Sequence, residues 1–140
     1  MSFDLDAVLE GLKDSLAAAF PSPVKVTRDL IDPAQEGDEQ LAHGVICLVA
    51  EGGGEFANYL GREGELGKAD VALVVFLKVA NDSTPADVES AELQWLKDLT
   101  AWCATGPFDP ADDVLPGSFV LSKQLEHPYG WLLLKLAVDA

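Results

Sequence analysis

The feature that most limits the fold is a glycine-rich stretch, EGGGEFANYLGREGELG (51–67), which holds six of the chain's twelve glycines. It lies between two apolar runs, HGVICLVA (43–50) and KADVALVVFLKVA (68–80). Glycine loses much conformational freedom in helices and strands alike, so such a cluster ends both runs. The second run is rich in β-branched residues and alternates, which predicts a long strand with one side on the core. We therefore expect two neighbouring strands joined by a mobile loop.

Part of this stretch matches a nucleotide-binding motif. Gly52-x-Gly54-x-x-Ala57 fits the pattern of dinucleotide-binding loops, whose glycines lead into a helix that holds the pyrophosphate at its N-terminus. Here Gly61 and Gly64 interrupt any such helix, and the next element is a strand. Without the helix, the loop has lost the amides and the dipole that bind phosphate. The sequence therefore predicts no dinucleotide site.

A second partial match, Gly67-Lys68, resembles the end of a phosphate-binding P-loop. That loop requires glycine at position 62 and serine or threonine at position 69, whereas the chain has Arg62 and Ala69. A strand again follows where a helix is needed. We predict no nucleotide, no other cofactor and no small-molecule substrate.

Residues that could support catalysis are few, and their spacing does not suit it. The two histidines, His43 and His127, have no cysteine or histidine at metal-ligand spacing. No nucleophile elbow surrounds Ser118, Ser122 or any other serine. Carboxylates are plentiful, but in so acidic a chain their pairing carries little information. We expect neither an enzyme nor a metal site.

Composition and charge indicate one acidic domain. The 140 residues include 24 acidic and 9 basic ones, a net charge of −15, and the basic residues never cluster. Nucleic-acid binding needs clustered cations, so stable binding of this kind is not expected. The longest apolar run, 71–77, is too short to cross a membrane, and the N-terminus lacks a signal peptide's basic start. Cys47 and Cys103 are expected to be reduced core thiols, so we predict a single cytoplasmic domain over 1–140.

Hydrophobic periodicity and capping residues define the order of the elements. Ser2 or Asp4 can cap the first helix, and Thr84-Pro85 with Asp87 marks the start of the second. The fold class is therefore α+β, a single domain in the order α-β-β-β-α-β-β, with a mostly antiparallel sheet and two helices packed on one face. The predicted helices are 4–20 and 85–104, the strands are 24–31, 43–50, 68–80, 118–126 and 131–139, and the mobile loops are 32–42, 51–67 and 106–117.

The glycine-rich loop is the candidate functional segment. Phe56, Tyr59 and Leu60 project from it, and apolar side chains on a loop that orders poorly alone suggest a contact surface. Packing of the loop onto its own sheet is the alternative. The predicted partner-contact residues are Gly52, Gly53, Gly54, Phe56, Tyr59, Leu60 and Arg62.

The order of these segments resembles that of a known family. An amphipathic N-terminal helix is followed by VICLVAEGGGEF, VALVVFLKVANDSTPADVESAELQWL leads through a polar turn into the second helix, and the final hairpin ends in WLLLKLAVDA. This order is similar to that of the tail terminator proteins of long-tailed bacteriophages, of the minor tail protein U type. The resemblance covers most of the chain, rests on element order and spacing, and assigns no role to a single residue.

The resemblance implies a structural protein that assembles with itself. A tail terminator forms a homo-hexameric ring that caps the tail tube, stops its polymerisation and receives the filled head. Its partners would be its own copies and other tail and head-connector proteins, first in the host cytoplasm and then in the virion tail. An acidic lumen would repel passing DNA, and residues 51–67 would order on assembly.

A second family has a similar element order. Class I type III secretion chaperones are small, acidic dimers that hold an unfolded effector along apolar grooves. They generally carry a further C-terminal helix, whereas the last element predicted here is a strand (131–139). An acidic mimic of nucleic acid is a further alternative from charge alone, although the acids form no obvious duplex-like rows.

Overall fold

A computed structural model describes residues 4–56, 66–105, 108, 111 and 113–139. Within these residues lie three α-helices and one five-stranded sheet, so the predicted α+β class with a mostly antiparallel sheet is confirmed. The helices are α1 (Leu5–Ala19), α2 (Asp38–His43) and α3 (Pro85–Cys103), and the strands are β1 (Lys25–Thr27), β2 (Val45–Phe56), β3 (Leu66–Lys78), β4 (Asp113–Leu121) and β5 (Tyr129–Asp139).

The strand order is β1-β2-β3-β5-β4, so β1 and β4 are the edges of the sheet. Neighbouring strands pair antiparallel except β1 and β2, which are parallel. The parallel pair is possible because α2 lies between these two strands and returns the chain to the same end of the sheet. β1 is shorter than the predicted strand at 24–31, since it pairs only with Val45–Cys47.

Helices α1 and α3 cover one face of the sheet, as predicted. The indole nitrogen of Trp102 on α3 donates a hydrogen bond to Ser15 Oγ on α1 at 3.0 Å, which ties the two helices together. Burial of these apolar side chains is the main stabilising contribution to the domain. The core of this face includes Val8, Leu9, Leu12 and Leu16 of α1, Leu99 and Trp102 of α3, Val71, Leu73 and Val75 of β3, and Leu132, Leu134 and Leu136 of β5.

The third helix is a difference from the prediction. α2 lies in the segment predicted as a loop (32–42), just after a 3₁₀ turn at Pro33–Gln35. Leu41 of α2 packs against Cys47 and Val74 on the face of the sheet opposite α1 and α3. A six-residue helix with one buried residue shows no hydrophobic stripe, so periodicity could not reveal it.

The loop predicted at 51–67 is partly strand. β2 continues to Phe56 and β3 begins at Leu66, and these two residues are paired. Residues 57–65 lie outside the described part of the chain. The prediction failed at both ends because cross-strand pairing can hold glycines in a strand that their own propensity disfavours.

The loop predicted at 106–117 overlaps the start of a strand as well. β4 runs from Asp113 to Leu121 rather than over 118–126, and the chain turns into β5 after it. Pro116-Gly117 suggested a loop, but proline is tolerated on an edge strand, where its missing N–H need not join a ladder. A register shift between Pro116 and Phe119 absorbs one extra residue.

Candidate functional site

The glycines after Ala50 form a bulge in the β2–β3 pair. Ala50 pairs with Val71 and Gly54 with Ala69, so residues 51–53 of β2 lie opposite the single residue Asp70 of β3. A bulge of this kind bends the strand and increases its twist. Because β2 then continues as strand to Phe56, the glycines do not lead into the helix that a dinucleotide loop requires.

Two of these glycines are constrained differently. Gly52 has a φ of +86°, a backbone conformation that residues with a side chain rarely adopt. At Gly53, a Cβ atom would lie 2.8 Å from Asp70 Oδ2. Asp70 is exposed, so its carboxylate can rotate away. The backbone therefore fixes glycine at position 52 more strictly than at position 53.

Gly52→Ala is expected to lower the free energy of unfolding by about 1–2 kcal/mol, because alanine disfavours the left-handed conformation. Gly53→Ala is the matched comparison and should cost less than about 0.5 kcal/mol, since only the Asp70 side chain must move. Equilibrium urea unfolding measures both values. Equal costs at the two positions would show that the backbone at Gly52 imposes no special constraint.

The seven partner-contact residues predicted from the sequence are only partly described by the structure. Residues 52–54 belong to β2 rather than to the predicted loop, with Gly52 and Gly53 in the bulge and Gly54 paired with Ala69. Phe56 is the last residue of the same strand, opposite Leu66. Outside the described residues lie Tyr59, Leu60 and Arg62. A contact role for these residues stays a prediction.

A different surface concentrates the exposed apolar side chains. Seven large hydrophobic residues are exposed in the described part of the chain, and four of them lie in the short stretch 115–125. These four residues, which we call the β4 edge surface, are Leu115 (51% exposed), Phe119 (49%), Val120 (46%) and Leu125 (80%). β4 is an edge strand that pairs with β5 alone in the described sheet. Apolar groups gathered on an open sheet edge indicate an interaction site.

The β4 edge surface is displayed on both faces of the sheet. Phe119 pairs with Leu134, so it lies on the face that the two long helices cover. Leu115 and Val120 lie on the opposite face. Pro116 and the adjacent bulge interrupt the strand, which limits its ability to add a full ladder to another sheet. A partner would therefore contact this edge mainly through side chains.

The β4 edge surface also includes a stretch without charge between Asp113 and Lys123. Residues 114–122, VLPGSFVLS, include no acidic or basic side chain, although the chain has a net charge of −15. Two copies of so acidic a protein repel each other wherever their carboxylates meet. An uncharged contact avoids most of this repulsion, so β4 is a suitable place for copies to meet.

The opposite edge of the sheet has another chemistry. Lys25 of β1 donates a hydrogen bond to Glu36 at 2.8 Å, and Arg28, just after the strand, bonds to two carboxylates of α1. These hydrogen bonds raise the pKa of Lys25 and of Arg28, so both remain cationic. Leu30, two residues further on, is 63% exposed. The β1 edge thus presents two basic side chains that are paired with carboxylates, and one apolar side chain.

A buried carboxylate holds the turn that follows β4. Glu92 of α3 is fully buried, and its Oε2 accepts hydrogen bonds from Ser122 Oγ at 2.5 Å and from the Trp131 N–H at 3.0 Å. Gly130 leaves room for this carboxylate, since a Cβ there would lie 2.7 Å from Glu92 Oε2. Among the described atoms, Glu92 Oε1 has no hydrogen-bond partner. Sequence reasoning missed Glu92, which fixes the end of β4 against α3.

The described histidines and cysteines form no catalytic grouping. Cys47 and Cys103 are buried in separate clusters on opposite faces of the sheet, and burial raises the pKa of Cys47 and raises that of Cys103 to about 11. His127 Nε2 lies 3.0 Å from Ser83 Oγ, and His43 ends α2 on the surface. The described residues contain no cluster of three or more side chains suited to holding a metal ion.

Comparison with known proteins adds no relative. No protein-family model matches the chain, and no curated protein matches it. None of the described helices combines the length and the apolar character needed to span a bilayer.

Proposed function

We propose that the protein is a non-enzymatic structural subunit, similar to the tail terminators of long-tailed bacteriophages, and that it assembles into a ring through the β4 edge surface. The observation that carries this proposal is the concentration of exposed apolar side chains along a sheet edge that has no charged residue from 114 to 122. Edges of this kind are usually covered or charged in proteins that remain monomeric. A second copy of the chain covers the edge in this proposal.

The difference between the two sheet edges favours a ring over a dimer. The four residues of the β4 edge surface are uncharged and apolar, whereas the β1 edge carries the ion pairs of Lys25 and Arg28 beside the exposed Leu30. A contact between the β4 edge of one copy and the β1 edge of the next is heterologous. Heterologous contacts close into rings when the rotation between subunits divides a full turn. A contact of β4 with its own copy would instead end at a dimer.

The net charge of −15 supports the same proposal. A ring that allows DNA to pass should repel the phosphates rather than bind them, and an acidic lumen does so. Residues 51–67 remain the proposed contact with a neighbouring subunit or with the tail tube. The bulge at Gly52 and Gly53 bends β2 and so sets the direction in which this strand continues to Phe56.

A dimeric secretion chaperone is the second candidate. It is favoured by the half-buried Leu133 and Ala137, which lie beside Val120 and Leu115 and extend the apolar surface away from the edge. An unfolded effector segment could cover such a strip. The two candidates differ in stoichiometry, because the chaperones are constitutive dimers.

Size-exclusion chromatography with light scattering, from about 1 to about 100 µM protein, is expected to show a concentration-dependent change from monomer to ring, because the β4 contact follows mass action. The tail terminator resemblance predicts six copies in that ring. A dimer whose mass stays constant over the whole range would contradict the ring and support the chaperone candidate.

A further inference from the structure

A cavity of about 420 Å³ lies between the end of the β3–β5 pair and the segment that contains α2. Phe76 and Trp131, which pair across β3 and β5, form part of its wall, and Leu41 of α2 forms another part. The Tyr129 hydroxyl donates a hydrogen bond to Asp38 Oδ1 at 2.9 Å and so joins β5 to α2 beside the cavity. Its volume lies within the range of small-molecule sites.

The walls of this cavity combine aromatic rings with carboxylates. The described residues that line it include three acidic side chains, Glu36, Asp38 and Glu126, and no lysine, arginine or histidine. Glu36 is paired with Lys25, and Asp38 accepts from Tyr129, while the Glu126 carboxylate makes no hydrogen bond or ion pair with any described residue. Asp38 and Glu126 are both exposed, so a ligand can reach them from solvent.

One ring at this cavity already has a cation beside it. The Lys78 ammonium lies 6.0 Å from the centroid of the Tyr129 ring, while it donates a hydrogen bond to Asn81 Oδ1 at 2.9 Å. Aromatic faces attract cations through their quadrupole, most strongly where water is excluded. The half-buried Phe76 and Trp131 offer further rings in the same wall.

We propose that this cavity binds an organic cation, an ammonium or guanidinium group on a short apolar stem. The stem packs against Phe76 and Trp131, and the cationic head lies at Asp38 and Glu126. Such a group can belong to a free amine or to a lysine or arginine side chain of a partner protein, and both share this chemistry. The proposal is independent of ring assembly.

The test is a nuclear magnetic resonance titration of the ¹⁵N-labelled full chain with phenethylamine. Saturable shifts of the Trp131 indole N–H and of the amides at Asp38 and Tyr129 are expected. The neutral analogue 2-phenylethanol should bind about tenfold more weakly or worse, because it lacks the charge. Equal binding of the two compounds, or no saturable shift with phenethylamine, would overturn the proposal.

Two variants locate the site. Asp38→Asn combined with Glu126→Gln should weaken phenethylamine binding by about tenfold or more, whereas Asp14→Asn with Asp98→Asn changes the net charge equally and should have little effect. If both double variants weaken binding equally, the overall charge of the protein attracts phenethylamine, and the proposed site at Asp38 and Glu126 is wrong.

A bulky substitution in the cavity wall tests the location of the binding site without changing the net charge. Ala34 lines the cavity, so Ala34→Trp should block binding, and Ala42→Trp, at an exposed position of α2 outside the lining, should not. Retained binding in Ala34→Trp would overturn the proposal.

An acetylated tripeptide amide with a central lysine identifies the source of the cation. Binding as tight as that of phenethylamine indicates a side chain of a partner protein, and clearly weaker binding indicates a free amine.

Discussion

Placing a carboxylate on the β4 edge surface is expected to convert the assembled protein into monomers. Phe119→Glu and Val120→Glu each replace an exposed apolar side chain of β4 by an acid, and the chain already has a net charge of −15. Losing a central apolar contact costs about 2 kcal/mol or more, so the dissociation constant of each subunit contact should rise about thirtyfold. Sedimentation velocity across a concentration series measures this change.

Leu93→Glu is the matched control for the charge. Leu93 is 44% exposed on α3, close to the exposure of Phe119, and lies outside β4, so the same substitution should leave assembly unchanged. All three variants should keep the circular dichroism spectrum and the urea midpoint of the unmodified chain, because the replaced side chains are exposed. If Leu93→Glu dissociates the protein as strongly as the β4 variants, or if the β4 variants stay assembled, the β4 contact is wrong.

The long elements could be predicted because their residues repeat a local pattern. Asp4 caps α1 by accepting a hydrogen bond from the Ala7 N–H, and Asp87 accepts one from the Thr84 N–H at the start of α3, as the capping signals indicated. The alternating residues of β3 from Val71 to Leu77 are buried on the predicted face. These features depend on residues that are close in the sequence, within one helical turn or one strand, so the sequence pattern alone predicts them.

The β4 edge surface and the cavity could not be predicted in this way, because both depend on how distant segments meet. The first half of β4 was predicted as a loop because of Pro116-Gly117. A strand can contain this proline because β4 lies at the edge of the sheet. The cavity requires α2, whose single buried residue, Leu41, gives no periodic signal. The apolar residues at 115–125 gave no sign of exposure, since apolar residues within a strand pattern look like core until the strand order is known.

Glu92 carried a signal that the sequence could have revealed. It lies four residues after Val88 and seven before Leu99, and both of those residues are buried on the same stripe of α3. An acidic residue at that spacing either interrupts the buried stripe or is itself buried, in which case neighbouring groups must donate hydrogen bonds to it. In a chain with 24 acidic residues, a single acid at this spacing is a weak signal on its own.

Glu92→Ala is expected to be the most destabilising single substitution considered for this chain. It leaves the buried Ser122 hydroxyl and the Trp131 N–H without an acceptor and opens a space between α3 and β5. An unsatisfied buried donor costs about 1–3 kcal/mol, so the two donors together should lower the free energy of unfolding by about 3–5 kcal/mol. For a domain of this size the melting temperature should fall by about 10–15 °C. A loss within about 1 kcal/mol would contradict the role given to Glu92.

A double-mutant cycle separates these hydrogen bonds from packing. Ser122→Ala alone removes one donor and leaves Glu92 bonded to the Trp131 N–H, so it should cost about 1–2 kcal/mol. Combined with Glu92→Ala, it removes a donor that Glu92→Ala alone would leave without an acceptor. The double variant should therefore lose less free energy of unfolding than the sum of the two single losses, by about 1 kcal/mol or more. Additive costs would instead mean that Glu92 acts through the volume it fills. Glu92→Gln keeps an acceptor oxygen for both donors, and should therefore retain most of the stability and the position of β4.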